Sequence, residues 1–236
     1  MEKTAILFVH GFMGCKRQFL SLQNALEDCG ADMILHVLPG HDSTLEEFRT
    51  TDAGIWQQSV NDAVHNLAKE YDRILLVGHS MGGLLAIRAA IAEPDKVCGV
   101  AAIGFPIKIR LRHQWLALNI DASHPAKEGE DPRITAARTM SGVKIESAGQ
   151  YFSTFPQNMQ FLKMTRLARR EIHLLKAPLT VLNFEKDEIV APSVPDFVHS
   201  QLPDARVIMM PNSFHFLFTD DELQLMASEI RGMLQQ

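Results

Sequence analysis

The sequence predicts an α/β fold in which a six-stranded, mainly parallel sheet is flanked by helices. Short runs rich in Val, Ile and Leu recur along the chain, and such runs are typical of parallel strands buried on both faces. Longer segments with apolar residues at helical spacing alternate with them, which favours a parallel sheet covered by helices. The 236 residues, 46% hydrophobic and 22% charged, are enough to bury a sizeable core.

Each predicted strand is a short and nearly continuous apolar run. The strands are expected at Thr4–His10, Asp32–Leu38, Arg73–Gly78, Val97–Gly104, Leu179–Phe184 and Ala205–Met210. The helices are expected at Phe19–Cys29, Ile55–Lys69, Leu84–Ala92, Ser193–Leu202 and Asp220–Leu234. In the first helix, for example, Phe19, Leu22 and Leu26 recur at helical spacing.

The alternation stops between residues 105 and 178, a more polar stretch that contains five prolines. We expect this stretch to be a mostly helical cap inserted after the fourth strand. Residues 1–104 and 179–236 would then form the core. Within the insertion, Pro125–Pro132 predicts a turn, and Phe105–Trp115 is compatible with either a strand or a helix.

Composition and charge argue against several classes of protein. The net charge of −5 gives no basis for nucleic acid as a partner. Cys15, Cys29 and Cys98 lack metal or disulfide spacing and are expected to be reduced thiols. No histidine pair has the spacing of a metal site, so we expect no metal.

The beginning of the sequence does not resemble a signal peptide, because its apolar run, Ala5–Val9, is too short. No segment approaches the length needed to span a bilayer. We therefore expect a cytoplasmic protein without stable membrane association, and the sequence leaves its oligomeric state open.

The strongest chemical signal is GHSMG, Gly78–Gly82, which matches the pattern G-x-S-x-G. It lies where a predicted strand meets a predicted helix, so the hydroxyl of Ser80 projects from a sharp turn. Small residues are needed two positions before and after this serine because side chains there would clash. A helix N-cap serine is the simpler alternative. A phosphate-binding loop is not supported, since no Gly-Lys-Ser/Thr follows.

A serine nucleophile needs a base, and the base needs an acid to orient it. The segment NFEKDEIV reaches beyond the fifth predicted strand, and PNSFHFLF follows the sixth. Both lie at the carboxyl ends of strands, where ligands bind in open α/β sheets. His215 is therefore the predicted base and Asp187 the predicted acid, with Glu185 and Glu188 as alternatives.

Five motifs occur in an order that one family shares. They are HGFMG (His10–Gly14), LPGHDS (Leu38–Ser43), GHSMGG (Gly78–Gly83), EKDEIV (Glu185–Val190) and SFH (Ser213–His215). On these motifs the sequence resembles the α/β-hydrolase superfamily, and within it small bacterial carboxylesterases and monoacylglycerol-lipase-like enzymes. The resemblance covers nearly the whole chain, but the insertion matches poorly.

The resemblance implies a catalytic triad of Ser80, Asp187 and His215. It favours Asp187 as the acid because the family places an aspartate just before a Val/Ile pair. It also implies an oxyanion hole made by the backbone N–H groups of Phe12 and Met81, which would stabilise a tetrahedral intermediate.

Two departures from the family pattern carry expectations of their own. Phe214 stands where many members have glycine before the histidine, which we expect to narrow the pocket. The chain also starts at the family's third strand, so the usual first two strands, one of them antiparallel, should be missing. This predicts an all-parallel sheet in the spatial order 2-1-3-4-5-6.

The residues expected to line a substrate pocket are Phe12, Met13, Phe105 and Trp115. Two basic clusters are expected to be solvated, with attraction of an anionic substrate as the alternative. The first cluster is Lys108, Arg110, Arg112 and His113, and the second is Arg166, Arg169 and Arg170.

Other polar residues near the motifs are given structural roles. We expect His10 to hold the oxyanion loop and His79 to point away from the chemistry. His41 is expected at the surface or at the rim of the pocket. Cys15 lacks a partner histidine in a known motif and is not the predicted nucleophile.

These observations predict a serine carboxylesterase that needs no cofactor and acts on small-molecule esters, with short to medium acyl chains favoured. A monoacylglycerol lipase, another lipase or a thioesterase on the same triad is the enzymatic alternative, because fold and triad do not fix the substrate. A noncatalytic binding protein of the same fold is the alternative from another class.

Overall fold

The computed structural model describes residues 2–110, 118 and 120–236 and contains one six-stranded sheet. The strands are β1 (Thr4–Val9), β2 (Asp32–His36), β3 (Arg73–His79), β4 (Val97–Ile103), β5 (Leu179–Phe184) and β6 (Arg206–Met210). Their spatial order is β2-β1-β3-β4-β5-β6, and every neighbouring pair is parallel. The predicted fold class, strand order and parallel pairing are confirmed.

Helices connect the strands, as predicted. They are α1 (Leu20–Ala25), α2 (Leu45–Arg49), α3 (Ala53–Leu67), α4 (Met81–Ala92), α5 (Pro132–Met140), α6 (Ala148–Ser153), α7 (Phe155–Glu171), α8 (Val194–Gln201) and α9 (Asp220–Leu234). Short 3₁₀ turns span Lys16–Phe19 and Ile172–Leu174.

Two helix boundaries differ from the prediction by three residues or more. The helix expected at Phe19–Cys29 is a 3₁₀ turn followed by α1, which ends at Ala25 before the left-handed turn at Gly30 (φ 75°). Helix α4 begins at Met81 rather than Leu84, because two glycines that lower helix propensity allow its first turn to pack against the sheet.

The sheet is apolar on both faces because side chains alternate along each strand. In β3, Leu75 and Val77 pack into a cluster with α1 and α9, whereas Ile74 and Leu76 pack into the cluster on the opposite face, with Trp56 of α3 and residues of α4. All five side chains are fully buried. This two-sided burial explains why the strands appear in the sequence as unbroken apolar runs.

The described part of segment 105–178 contacts loops at the carboxyl ends of the strands. Isolated bridges join Gly14 to Ser141 after β1 and Ser43 to Val143 after β2. A third, antiparallel bridge joins Ile109 to the loop after β5, so the stretch 105–110 is extended at this point; the rest of the ambiguous stretch, to Trp115, lies outside the described residues. The division into core and cap stays a prediction.

No helix in the ranges that the structure describes is long and apolar enough to cross a bilayer. Within the same ranges, no group of three or more His, Cys, Asp or Glu side chains is arranged to hold a metal ion.

A matched pair of leucines tests the two-sided core. Leu76 of β3 is fully buried, whereas Leu225 of α9 is 39% exposed. We expect Leu76→Ala to lower the free energy of unfolding by about 2–5 kcal/mol, because it leaves a cavity in close-packed surroundings. Leu225→Ala should change it by less than about 0.5 kcal/mol. Urea unfolding measures both, and equal effects would contradict the assignment of this face as core.

Candidate active site

Ser80 lies at a tight turn between the last residue of β3 and the first residue of α4. Its backbone has φ 53° and ψ −122°, a region that favours glycine, and such strain costs about 1–3 kcal/mol. Two hydrogen bonds hold the turn: the Ser80 N–H donates to the Ile103 carbonyl at 2.8 Å, and the Gly83 N–H donates to the Ser80 carbonyl at 2.9 Å. The simpler role of helix N-cap does not apply, because the Ser80 side chain makes no capping bond.

The glycines around Ser80 allow main chains to approach each other closely. A Cβ atom on Gly82 would overlap the carbonyl oxygen of Val9 in β1, and one on Gly78 would overlap the backbone of Gly82. A Cβ atom on Gly11 would lie 2.9 Å from the Cβ atom of Ser80. The motif therefore brings the end of β1, the loop that follows it and the serine together.

His215 and Asp187 form a buried pair on the loops after β6 and β5. The Nδ1 atom of His215 is 2.7 Å from the Oδ2 atom of Asp187, and each side chain is 1% exposed. Because a carboxylate accepts, Nδ1 carries the proton and donates to Asp187, which leaves the lone pair on Nε2. Nε2 is buried and has no hydrogen-bond partner among the residues that the structure describes.

Asp187 is held as an anion by its surroundings. Burial by itself raises the pKa of this carboxyl. The His215 ring and the N–H groups of Ile189 and Val190 outweigh burial, so the net pKa lies below its ordinary value. These N–H groups donate to Oδ1 at 2.7 and 2.9 Å.

The two alternative acids are placed differently from Asp187. Glu188 accepts from the backbone N–H of His215, at 3.4 Å, rather than from the ring. Glu185 is exposed, and its own N–H donates to the Met210 carbonyl at 2.9 Å. Of these three carboxylates, Asp187 is the one bonded to the imidazole.

The serine and the histidine line the same cavity, although no direct hydrogen bond joins their side chains in the described structure. The His215 ring lies against Gly104, where a Cβ atom would be 3.2 Å from its Cε1 atom. Gly104 has φ 54°, so both its conformation and the nearby ring favour glycine. This residue was not among the predicted site residues, and its position directly after β4 was the available signal.

The predicted oxyanion loop is fixed on both sides of Phe12. The Gly11 N–H donates to the Oε1 atom of Gln18 at 2.8 Å, and the Met13 N–H donates to the Nε2 atom of His41 at 3.1 Å. The N–H groups of Phe12 and Met81 donate to no other group among the described residues. Met81 is the first residue of α4, where backbone N–H groups lack helical partners. The oxyanion role of these two groups stays a prediction.

Gln18 is a residue of the site that sequence reasoning missed. Besides holding Gly11, its Oε1 atom is 3.0 Å from Nδ1 of His79, and its Nε2 atom donates to the Met140 carbonyl at 3.3 Å. The sequence carries no motif around Gln18, and only tertiary packing brings these partners together.

Three histidines beneath the site are buried and neutral. Burial lowers the pKa of His10 to about 4, and it lowers the pKa values of His41 and His79 to about 3. His10 accepts from the Leu38 N–H at 3.1 Å through Nε2 and donates to the Gly11 carbonyl at 3.0 Å through Nδ1. The predicted surface or rim position of His41 is corrected: it is 3% exposed, because it packs under the loop to hold the Met13 N–H.

His79 faces away from the cavity, and its Nε2 atom is 2.9 Å from the His215 carbonyl oxygen. The two imidazole rings lie 5.0 Å apart. Cys15 is buried, and its thiol contacts the Met140 carbonyl at 3.5 Å. Burial raises the pKa of this thiol above its ordinary value, which disfavours a thiolate.

A cavity of about 280 Å³ opens at Ser80 and His215. Phe12 and Met13 line it, as the sequence predicts. The remaining lining comes largely from α6, α7 and loop residues that were not predicted, including Tyr151, Phe152, Phe155, Phe161, Leu162 and Phe216. The cavity is therefore mostly apolar.

The structure places Phe105 elsewhere than predicted. It is fully buried in the core, where its ring packs beside Gly83 and its N–H donates to the Oδ1 atom of Asn183 at 2.7 Å. The physical reason is that Gly104 turns the chain inward at the end of β4. Trp115 lies outside the described residues.

A second, more polar cleft of about 470 Å³ shares Phe12, Met13, Tyr151 and Phe216 with the first cavity. Its polar lining includes Arg17, Asp42, Ser43, Ser123, Arg138 and Ser141. The site therefore has one apolar and one polar compartment that meet near Phe12.

The basic clusters line neither cavity within the described part of the chain. The Nζ atom of Lys108 lies 5.6 Å from the centre of the Phe197 ring, and the guanidinium of Arg169 lies 5.4 Å from it. Arg110, Arg166 and Arg170 are exposed. Arg112 and His113 lie outside the described residues.

A pair of glycine substitutions tests the close approach at the turn. Gly82→Ala should lower the free energy of unfolding by about 3 kcal/mol or more, because the methyl group overlaps the Val9 carbonyl. A Cβ atom on Gly232 of α9 would meet no neighbour within 4 Å, so Gly232→Ala should stabilise the chain by about 0.5–1 kcal/mol. Urea unfolding measures the free energy of unfolding of both variants. An unchanged value in Gly82→Ala would contradict the close contact between Gly82 and Val9.

The buried histidines predict acid sensitivity. Their pKa values fall from 6.5 in the unfolded chain to about 3 or 4 in the folded one. The unfolded state then binds more protons, so stability falls as the pH drops below about 6.5 and goes on falling to about pH 4. Each histidine contributes up to about 1.4 kcal/mol per pH unit. Urea unfolding between pH 7 and 4.5 measures the slope, and His41→Gln should reduce it. A free energy that stays flat from pH 6.5 to 5 would contradict this prediction.

Comparison with known proteins points to one family. Residues 6–229 match the family described as the alpha/beta hydrolase family. The chain is 22% identical over 219 residues to the thermostable monoacylglycerol lipase of Bacillus sp. (strain H-257), an alignment that covers 91% of this chain and 84% of that protein. It is 23% identical over 251 residues to the sn-1-specific diacylglycerol lipase ABHD11 of Danio rerio, which covers 97% and 78% of the two chains.

Solved structures share the fold at low sequence identity. One, from work on LipS and LipT, two metagenome-derived lipolytic enzymes, has a TM-score of 0.74 at 18% identity and covers 100% of this chain and 95% of its own. The monoacylglycerol lipase of Paleococcus ferrophilus has a TM-score of 0.71 at 19% identity, with coverage of 97% and 94%. Because the family match extends over residues 6–229, the chain belongs to the alpha/beta hydrolase family.

Proposed function

We propose that the protein is a serine carboxylesterase that hydrolyses carboxylic esters through an acyl-enzyme. The observation that carries this proposal is the buried 2.7 Å bond between His215 and Asp187, which leaves Nε2 unprotonated beside the cavity that Ser80 lines. A base of this kind is what a serine hydroxyl needs to act as a nucleophile. The strained backbone of Ser80 supports the same role.

The reaction follows from these positions. Ser80 Oγ attacks the ester carbonyl carbon while Nε2 of His215 takes the hydroxyl proton, and Asp187 stabilises the imidazolium that forms. The N–H groups of Phe12 and Met81 stabilise the oxyanion. The intermediate collapses as His215 returns the proton to the leaving alcohol. A water molecule then attacks the acyl-enzyme, gives its proton to His215, and the acid is released as Ser80 regains its proton.

The two compartments support a division of the substrate. The apolar cavity, with five phenylalanines among its lining residues, suits the acyl chain, and its size of about 280 Å³ suits a short to medium one. The adjoining polar cleft suits the alcohol part of the ester. Apolar burial of the chain and polar contacts to the alcohol would orient the carbonyl at Ser80.

A monoacylglycerol lipase is the second candidate. The observation that favours it is the polar cleft, because a glycerol group carries hydroxyls that arginine, aspartate and serine side chains can bind. Two of the similar proteins bear the name monoacylglycerol lipase, which supports the same candidate. Monoglycerides of matched chain length, compared with simple alkyl esters, separate the two candidates.

Ester turnover with a matched pair of serine variants tests the proposal. Ser80→Ala should lower kcat for p-nitrophenyl esters by at least about 10³-fold, because the nucleophile is lost. Ser200→Ala, at an exposed residue of α8, should leave it unchanged. Esters of two to sixteen acyl carbons are measured in parallel, and we expect the optimum at short to medium length.

The remaining outcomes are equally decisive. Wild-type turnover in Ser80→Ala would refute the assigned nucleophile. A fluorophosphonate that labels Ser80 without turnover of any ester would show that the nucleophile is active but the substrate class is wrong. No labelling and no turnover would leave a noncatalytic binding protein as the better interpretation.

A further inference from the structure

An arginine outside the triad contacts both loops that carry the acid and the base. Arg133 lies in the first turn of α5, in the segment between β4 and β5, and its side chain is 25% exposed. Its Nη1 atom is 3.6 Å from the Oε1 atom of Glu188, on the loop after β5. Its guanidinium lies 5.1 Å from the centre of the Phe214 ring, on the loop after β6.

Glu188 connects this arginine to the catalytic histidine. Its side chain is 7% exposed, and its Oε2 atom accepts from the His215 backbone N–H at 3.4 Å. Burial raises the pKa of Glu188, whereas the charge of His215 acts in the opposite direction. A buried carboxylate is costly without a cation, and Arg133 supplies one.

The position of Phe214 fits the same arrangement. Two cations lie close to its ring: the guanidinium of Arg133, and the Nζ atom of Lys186 at 5.7 Å from the ring centre. A cation over an aromatic face is attracted to it. Glycine, which many family members have at this position, has no ring for Arg133 to contact. The contact with Arg133 is therefore a physical reason for phenylalanine at position 214.

The guanidinium itself is held in place. The Nε atom of Arg133 donates to Oδ2 of Asp131 at 3.0 Å, and its Nη2 atom donates to the same oxygen at 2.5 Å. Asp131 also caps α5, because its Oδ1 atom accepts from the Arg133 N–H at 2.9 Å. The orientation of this cation is therefore fixed by the start of the helix.

We propose that Arg133 is a positioning residue, which holds the histidine loop through Glu188 and Phe214 and balances the charge beside the base. The proposal rests on the proposed function, in which His215 is that base. In this proposal, the segment between β4 and β5 both lines the substrate cavity and helps to position the triad.

If Arg133 balances the charge beside His215, its removal shifts the pH dependence of the reaction. Loss of a merely structural contact would not cause such a shift. Among the described residues, the charged and titratable groups that face His215 are Asp187, Glu188 and His79, with Arg133 behind Glu188. Removal of Arg133 leaves the negative charge of Glu188 unbalanced. This charge favours the protonated imidazole of His215, so the neutral imidazole that acts as the base is lost at a higher pH than in wild type. Removal of the Glu188 charge leaves the cation, which favours the neutral imidazole.

The experiment compares the pH profile of kcat/KM for wild type, Arg133→Gln, Glu188→Gln and the double variant. We expect the acid limb to move up by about one pH unit in Arg133→Gln, to move down in Glu188→Gln, and to return towards wild type in the double variant. Arg133→Gln should also lower kcat roughly ten- to a hundredfold with little change in KM, because the base is misplaced. Arg133→Lys, which keeps the charge, should retain the wild-type limb.

Arg206→Gln is the matched control. Arg206, whose side chain is 63% exposed, forms an ion pair with Glu229 at the amino end of β6, at 2.6 Å and remote from the site. Unshifted acid limbs in both single variants, or a kcat loss as large in Arg206→Gln as in Arg133→Gln, would overturn the proposal.

A measurement without substrate separates this proposal from the proposed function. The ring nitrogens of His215 are followed by NMR against pH in the same variants. Opposite shifts of their titration in the two single variants support the charge balance even if no ester is turned over. Ester turnover by wild type without such shifts would overturn the role of Arg133 and leave the esterase proposal standing.

Discussion

The close contact between the end of β1 and the first turn of α4 is the constraint on which the site depends. It exists because Gly82 lacks a side chain at the point where the Val9 carbonyl lies. The same contact brings the Phe12 loop next to Ser80, so the serine and both predicted oxyanion donors share one corner of the sheet. The strain at Ser80 is sustained because β1 and β3 are buried on both faces and cannot relax away from each other.

Hydrogen bonds from buried polar side chains hold the loops in place, as backbone hydrogen bonds hold neighbouring strands together. Gln18 and His41 hold the N–H groups on either side of Phe12, and His79 approaches the carbonyl of His215. These groups are satisfied by hydrogen bonds and lie among apolar residues, which keeps the histidines neutral. The buried histidines that hold these loops therefore lower the stability of the folded chain at acidic pH.

The segment between β4 and β5 supplies side chains that surround Ser80, Asp187 and His215. Ser80, Asp187 and His215 lie at the ends of strands and on the loops that follow them, whereas helices α6 and α7 provide most of the apolar lining of the cavity. Helix α5 adds Arg133, which contacts Glu188 and Phe214 on the loops that carry Asp187 and His215. The lining of the cavity and the sheet therefore come from different parts of the chain, as is common for sites built on shared folds.

The sequence by itself predicted the strands and the candidate residues Ser80, Asp187 and His215, because those signals are local: apolar runs, a glycine-flanked serine and short motifs at strand ends. The spatial order of the strands followed from the resemblance to one family. The burial of His41 and Phe105 was not readable, since it depends on packing between distant segments. Tertiary structure decided among Asp187, Glu185 and Glu188 at the imidazole ring, and it alone showed the lining of the cavity beyond Phe12 and Met13. Contacts such as that between Gln18 and Met140, 122 residues apart, leave no local pattern from which they could be predicted.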